Sequence, residues 1–142
     1  MLFVRRSSGA DQVLLGKRRH AAGTGGGWCI PGGELNEGEG GAIGAFRCAS
    51  VCLRRFAGMK PTAPAKATVC AGEVRVTCAA GVEWRTYIMN VEEELADWQP
   101  QWDEPFEDGA WFAHDDLPAD LAPCVEGTLI EARRLGLIDP AA

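Results

Sequence analysis

Several short segments of the chain carry residue types at spacings that chemistry can use. The most specific is a frame: Pro31-Gly32-Gly33 follows the apolar run Trp28-Cys29-Ile30, five residues separate Gly33 from Glu39, and seven separate Glu39 from Arg47. Cys48 and Cys52 lie four apart and so share one face of a helix. They can hold a soft metal such as zinc if His20 or another thiol completes the set; the plainer reading is a small apolar face. Lys17, Arg18 and Arg19 form a cationic run that can meet phosphates or stand solvated at a strand end. The glycines from Gly23 to Gly27 are no phosphate loop, because no Lys-Ser/Thr pair follows and no helix opens there. A tryptophan of the long loop, Trp98 or Trp102, can stack on a base or sugar, although packing is the commoner use of the indole.

These residues need elements to position them. Leu2–Arg5 and Val13–Leu15 read as strands of a hairpin around the turn residues Ser7-Ser8-Gly9-Ala10-Asp11. Gly41 to Ala57 reads as a helix, with Ile43, Phe46, Ala49 or Ser50, Leu53 and Phe56 at helical spacing, Gly58 at its C-cap and Pro61 barring continuation. Gly40, Gly41 and Gly44 are costly at its start, roughly 1 kcal/mol each where they fall inside the helix. They predict a loop-to-helix junction where backbone comes close to something. Strands follow at Thr68–Ala71, Glu73–Cys78 and Trp84–Val91, with Ala79-Ala80-Gly81 as a hairpin turn. Trp98 to Asp108 reads as a long loop, Ala110–Ala113 as a short strand, and Pro123–Leu135 as a closing helix with Val125, Leu129, Ala132 and Leu135 or Leu137 on one face.

The totals narrow the classes. The length of 142 residues suits one domain with its own core. A formal net charge of −6 gives no general attraction to phosphate backbones, which argues against nucleic-acid polymers as partners. No run is long enough to span a bilayer. Met1-Leu-Phe-Val is followed at once by Arg5 and Arg6, which is not a secretory pattern. The cytoplasm is therefore the expected compartment, and Cys29, Cys48, Cys52, Cys70, Cys78 and Cys124 are expected as free thiols.

The frame resembles the first two-thirds of the box that marks the Nudix hydrolase superfamily: Gly33, five residues, Glu39, seven residues, Arg47. The flanks are similar too. Val13-Leu14-Leu15-Gly16-Lys17-Arg18 looks like the family's strand before the box, and Trp28 to Gly33 like its usual lead-in. Trp111-Phe112, Asp116-Leu117-Pro118 and Leu121-Ala122-Pro123 resemble its penultimate strand and last helix. The resemblance covers nearly the whole chain and implies an α/β (α+β) fold, the Nudix α/β/α sandwich with a mixed sheet between helices, over residues 1–142 as one domain. It implies a nucleotide-type small-molecule partner, a nucleoside diphosphate joined to another group, and a homodimer as a possible assembly. Substrate contacts fall on Arg18, Trp28, Gly32 and Gly33. Glu39 and Arg47 support the box, or simply bridge loop and helix.

The chemistry of the family needs Mg²⁺ or Mn²⁺ to neutralise phosphoryl charge and a carboxylate to orient or deprotonate water. Glutamates three or four apart on the box helix normally hold the metal. Here the chain departs. Where the pattern asks for Glu, apolar, any, Glu, Glu after Arg47, the sequence has Cys48, Ala49, Ser50, Val51, Cys52, and no acid stands between Glu39 and Glu73. Loss of a general base alone costs about 10²–10⁴ in rate. Glu104, beside Asp103 in the long loop, is a candidate substitute base or ligand, against the alternative of a solvated acidic loop. Two readings stay open: a pyrophosphohydrolase with a weak or rewired Mg²⁺ or Mn²⁺ site, or a catalytically inactive module that binds a nucleotide or a protein and needs no metal.

Overall fold

Val13, Leu14 and Leu15 are all fully buried. Consecutive strand residues point to opposite faces, so a run like this needs a sheet covered on both. The computed structural model describes residues 1–7, 9–19, 27–52, 68–78, 81–91, 102, 106–113 and 115–139. Within them the chain runs β1 (Leu2–Ser7), β2 (Ala10–Arg18), β3 (Trp28–Cys29), α1 (Gly41–Cys52), β4 (Thr68–Thr77), β5 (Glu83–Val91), β6 (Phe106–Ala113) and α2 (Val125–Arg134). The strands form one mixed sheet. Along one edge of β2 lie β1 (Val13↔Val4) and β3 (Gly16↔Cys29), and along the other lies β6 (Leu14↔Trp111). The β1–β5 junction is parallel (Leu2↔Ile88), and β4 closes the far side antiparallel to β5.

The two helices cover opposite faces. Tyr87 of β5 puts its hydroxyl against Gly41, at the start of α1. Its neighbour Ile88 pairs with Gly72, which packs on Leu137 just beyond α2. Adjacent strand residues face opposite ways, so α1 and α2 sandwich the sheet. Leu2, Val4, Val13 and Ile88 fill the α2 side; Phe3 and Leu14 fill the other.

The strands differ in extent from the sequence expectation. β4 is continuous from Thr68 to Thr77 with a register shift between Cys70 and Gly72, in place of two strands. β6 begins at Phe106, inside the expected loop, because it pairs along most of β2. α2 begins at Val125 and buries Val125, Thr128, Leu129 and Ala132, while Leu135 is exposed. α1 also turns differently. Gly44, Cys48 and Ala49 are buried, whereas Ile43 is 69% exposed and Phe46 43%. The cause is close approach: a Cβ on Gly41 would strike the Tyr87 hydroxyl, and one on Gly44 would strike Leu35. A helix seated that tightly admits only small residues beneath it, and the large apolar ones are left outside. Residues 53–57, the expected last part of this helix, lie outside the described residues.

The expectation of six free thiols is corrected. Cys78, just after β4, and Cys124, just before α2, form a disulfide with Cα atoms 5.7 Å apart and a sequence separation of 46. Cys78 continues the alternation of Gly72, Val74 and Val76, which face α2. That is how the sheet brings it to the helix start. Cys29 and Cys48 are free. No helix among the described residues is long and apolar enough to cross a membrane.

Candidate functional site

The loop from Pro31 to Gly40 joins β3 to α1, and Arg47 holds it at both ends. Its Nε donates to Glu39 Oε2 at 2.9 Å and its Nη2 to Glu39 Oε1 at 3.0 Å. Nη2 also donates to the Glu34 carbonyl at 2.8 Å. A forked guanidinium on a carboxylate is the strong form of this contact. Glu39 Oε1 also accepts from the Asn36 backbone N–H at 3.1 Å. The Arg47 hydrogen bonds, and then that of Asn36, hold the Glu39 carboxyl below its usual range, and Glu39 raises Arg47 in turn. With both oxygens engaged, Glu39 fixes the loop on the helix.

Cys48, next along α1, is 7% exposed. Its Sγ lies 3.8 Å from the Glu34 carbonyl, and a Cβ added to Gly33 would come within 3.0 Å of it. The position that would project a carboxylate toward the loop thus carries a thiol packed against Gly33. Among the described residues, the donors here do not fit a hard divalent cation, which takes several oxygen ligands. Glu39 is committed to Arg47 and Cys48 offers only sulfur. No group of three or more His, Cys, Asp or Glu side chains among the described residues is placed to hold a metal ion. The Cys52 thiol, His20, Asp103 and Glu104 lie outside the described residues.

A cavity of about 700 Å³ opens beside this loop. It exists because β1 meets β5 only from Ile88 onward. Below that point residues 83–87 have β4 on one edge and no described strand on the other. It is lined by Val82 to Thr86, by Ile30 to Leu35, by Arg18 and Met1, and by Gly41, Gly44 and Ala45 of α1. The α-amino group of Met1 donates to the Pro31 carbonyl at 2.9 Å. Arg18 Nε is buried and has no hydrogen-bond partner. A buried donor left unmet costs about 1–3 kcal/mol, and an anion in the cavity would relieve that cost. At the mouth, Arg85 Nε bonds Glu83 Oε1 at 2.5 Å, and this hydrogen bond lowers the Glu83 pKa.

The sequence candidates separate accordingly. Arg18, Gly32 and Gly33 come together around the cavity. Trp28 stands apart from it, edge-on to Phe112 with ring centroids 4.8 Å apart and bridged to Leu121. Lys17 pairs at 3.9 Å with Glu107. Sequence reasoning missed Arg85 and Glu83. Both sit in a strand with ordinary alternation, and only the short reach of β1 reveals that their edge is open.

No protein-family model and no curated protein matches the sequence. Solved structures do match. A Nudix hydrolase from Mycobacterium smegmatis, RenU, superposes with a TM-score of 0.71 over 96% of this chain and 82% of that one, at 23% identity. A Caenorhabditis elegans Ap4A hydrolase gives 0.70 over 96% and 94%, at 13% identity. The chain has the Nudix fold. A MutT Nudix hydrolase from Burkholderia pseudomallei superposes less closely, with a TM-score of 0.56 over 91% of this chain and 92% of that one, at 21% identity. At such identities the Nudix likeness describes architecture, and the chemistry has to be argued from the side chains.

Proposed function

We propose that this Nudix-fold chain binds a nucleoside diphosphate derivative in the cavity under α1, and that the family's metal-assisted hydrolysis is weak or absent in it. The observation that carries this reading is Cys48, a buried thiol packed on Gly33 at the box position of the first helix glutamate. The cavity supports the binding half: it is large enough for a small ligand, and Arg18 offers an unmet donor to an anion. Nucleic-acid polymers are poor candidates for a chain with net charge −6.

The test is a panel of ADP-ribose, nucleoside diphosphate sugars and nucleoside triphosphates, assayed for thermal stabilisation and for turnover with Mg²⁺ or Mn²⁺. At least one ligand should raise the melting temperature in a saturable way, with hydrolysis near background. Turnover on the order of 1 s⁻¹ or faster, which is ordinary for enzymes, contradicts the weak-hydrolysis half. Absence of stabilisation by every ligand contradicts the binding half.

A further inference from the structure

Resting on that reading of the cavity, we infer that anion charge is met there by two guanidiniums, Arg18 inside and Arg85 at the mouth, without a divalent cation, and that Glu83 holds Arg85 in reserve. A diphosphate entering a partly enclosed cavity loses water and needs compensating charge. In this fold metal ions on helix glutamates would supply it, but α1 has Cys48, Val51 and Cys52 at those positions. The charged groups that do line the cavity are Arg18, Arg85 and the Met1 α-amino group, which already donates to the Pro31 carbonyl, with Glu34 and Glu83 as the acids. Arg18 presents a buried Nε with no partner. Arg85 projects from β5 on the α1 side of the sheet, the side also taken by Tyr87. Guanidinium forks suit phosphate oxygens, and two of them can stand in for a metal's charge.

Arg85 is not idle without a ligand. Glu83, two residues earlier on the same edge, pairs with it at 2.5 Å, with side chains 48% and 39% exposed respectively. A phosphate must therefore compete with Glu83, a contest that is feasible because exposed ion pairs are weak. Directly across the ladder Arg75 pairs with Glu73 at 2.6 Å, and it is not among the residues lining the cavity. Arg75 is therefore a same-face neighbour of Arg85; the Arg134–Glu131 pair on α2, at 2.6 Å and across the sheet from the cavity, repeats the same chemistry away from the site and serves as its control.

The experiment is calorimetric titration of the full chain with inorganic pyrophosphate, in EDTA and in Mg²⁺. Saturable binding in EDTA is expected, weakened about tenfold by Arg18→Gln and by Arg85→Gln. Glu83→Gln should tighten it a few-fold by releasing Arg85, and Arg134→Gln, on the other side of the sheet, should leave it within about twofold. Far-UV circular dichroism confirms that each variant folds. Binding that requires Mg²⁺ overturns this inference while leaving the ligand site in place. No binding under either condition overturns the reading of the site itself. Weaker binding in Glu83→Gln overturns the reserve role of Glu83.

Discussion

Breaking the link between Cys78 and Cys124 should loosen the whole fold by a predictable amount. The disulfide closes a loop with a sequence separation of 46. In the chain-entropy account a loop of that length restricts the unfolded chain by about 13 cal/mol/K, or about 4 kcal/mol at 25 °C. For a chain of this length that corresponds to roughly 10 °C in melting temperature. A second effect is separable. Cys124 has φ 70°, in the left-handed region, at the start of α2 and without a side-chain cap. Left-handed backbone costs a non-glycine residue roughly 1 kcal/mol or more. Cys124→Gly and Cys78→Ser both lose the disulfide, but only the glycine variant relieves that conformation. It should therefore be the more stable of the two by roughly 1 kcal/mol. The assay is urea unfolding followed by circular dichroism, for the wild type with and without dithiothreitol and for both variants. Identical wild-type midpoints in the two conditions refute the reasoning about the disulfide. A Cys124→Gly variant no more stable than Cys78→Ser refutes the reasoning about the backbone.

Other consequences are as direct. Gly16 and Gly109 face each other across β2 and β6, and the Trp102 indole lies on both, edge-on to Phe106. Gly109→Ala would drive a methyl into that ring and should cost about 1–3 kcal/mol, as overpacking does; an unchanged urea midpoint is the contrary result. The Glu39–Arg47 pair should show in the pH dependence of stability. The folded Glu39 pKa lies below its unfolded value, so its contribution is complete above that unfolded value, near pH 4.5, and is lost as pH falls through the lower folded value. The advantage of wild type over Glu39→Gln should be constant from pH 7 to about 5 and shrink toward pH 3. An advantage that stays constant down to pH 3 contradicts the coupling.

The box frame was legible because it is local. Gly33, Glu39 and Arg47 sit within 15 residues, at the spacing of the box they resemble, and the structure joins Glu39 to Arg47; the glycines at 41 and 44 foretold the close approach that the Tyr87 hydroxyl and Leu35 make. What stayed hidden depends on partners distant in sequence. Nothing near Cys78 or Cys124 signals their pairing, because the sheet and α2 bring them together. The burial of Cys48 in place of Phe46 follows from how tightly α1 is seated, a tertiary fact that helical spacing does not contain. The open edge of β5 is likewise a property of where β1 meets it. Strand patterns mark which face a residue takes and are silent on which edge is free.

The central claim is that this Nudix-fold chain takes its ligand without the metal site of the box. Mn²⁺ titrated into protein with ADP-ribose, with free Mn²⁺ read by its electron paramagnetic resonance signal, tests that most directly. The free-ion signal should follow that of ADP-ribose alone at every addition, while the ligand still binds in EDTA. A further saturable loss of signal that requires the protein, matched by ligand binding that EDTA abolishes, contradicts the account.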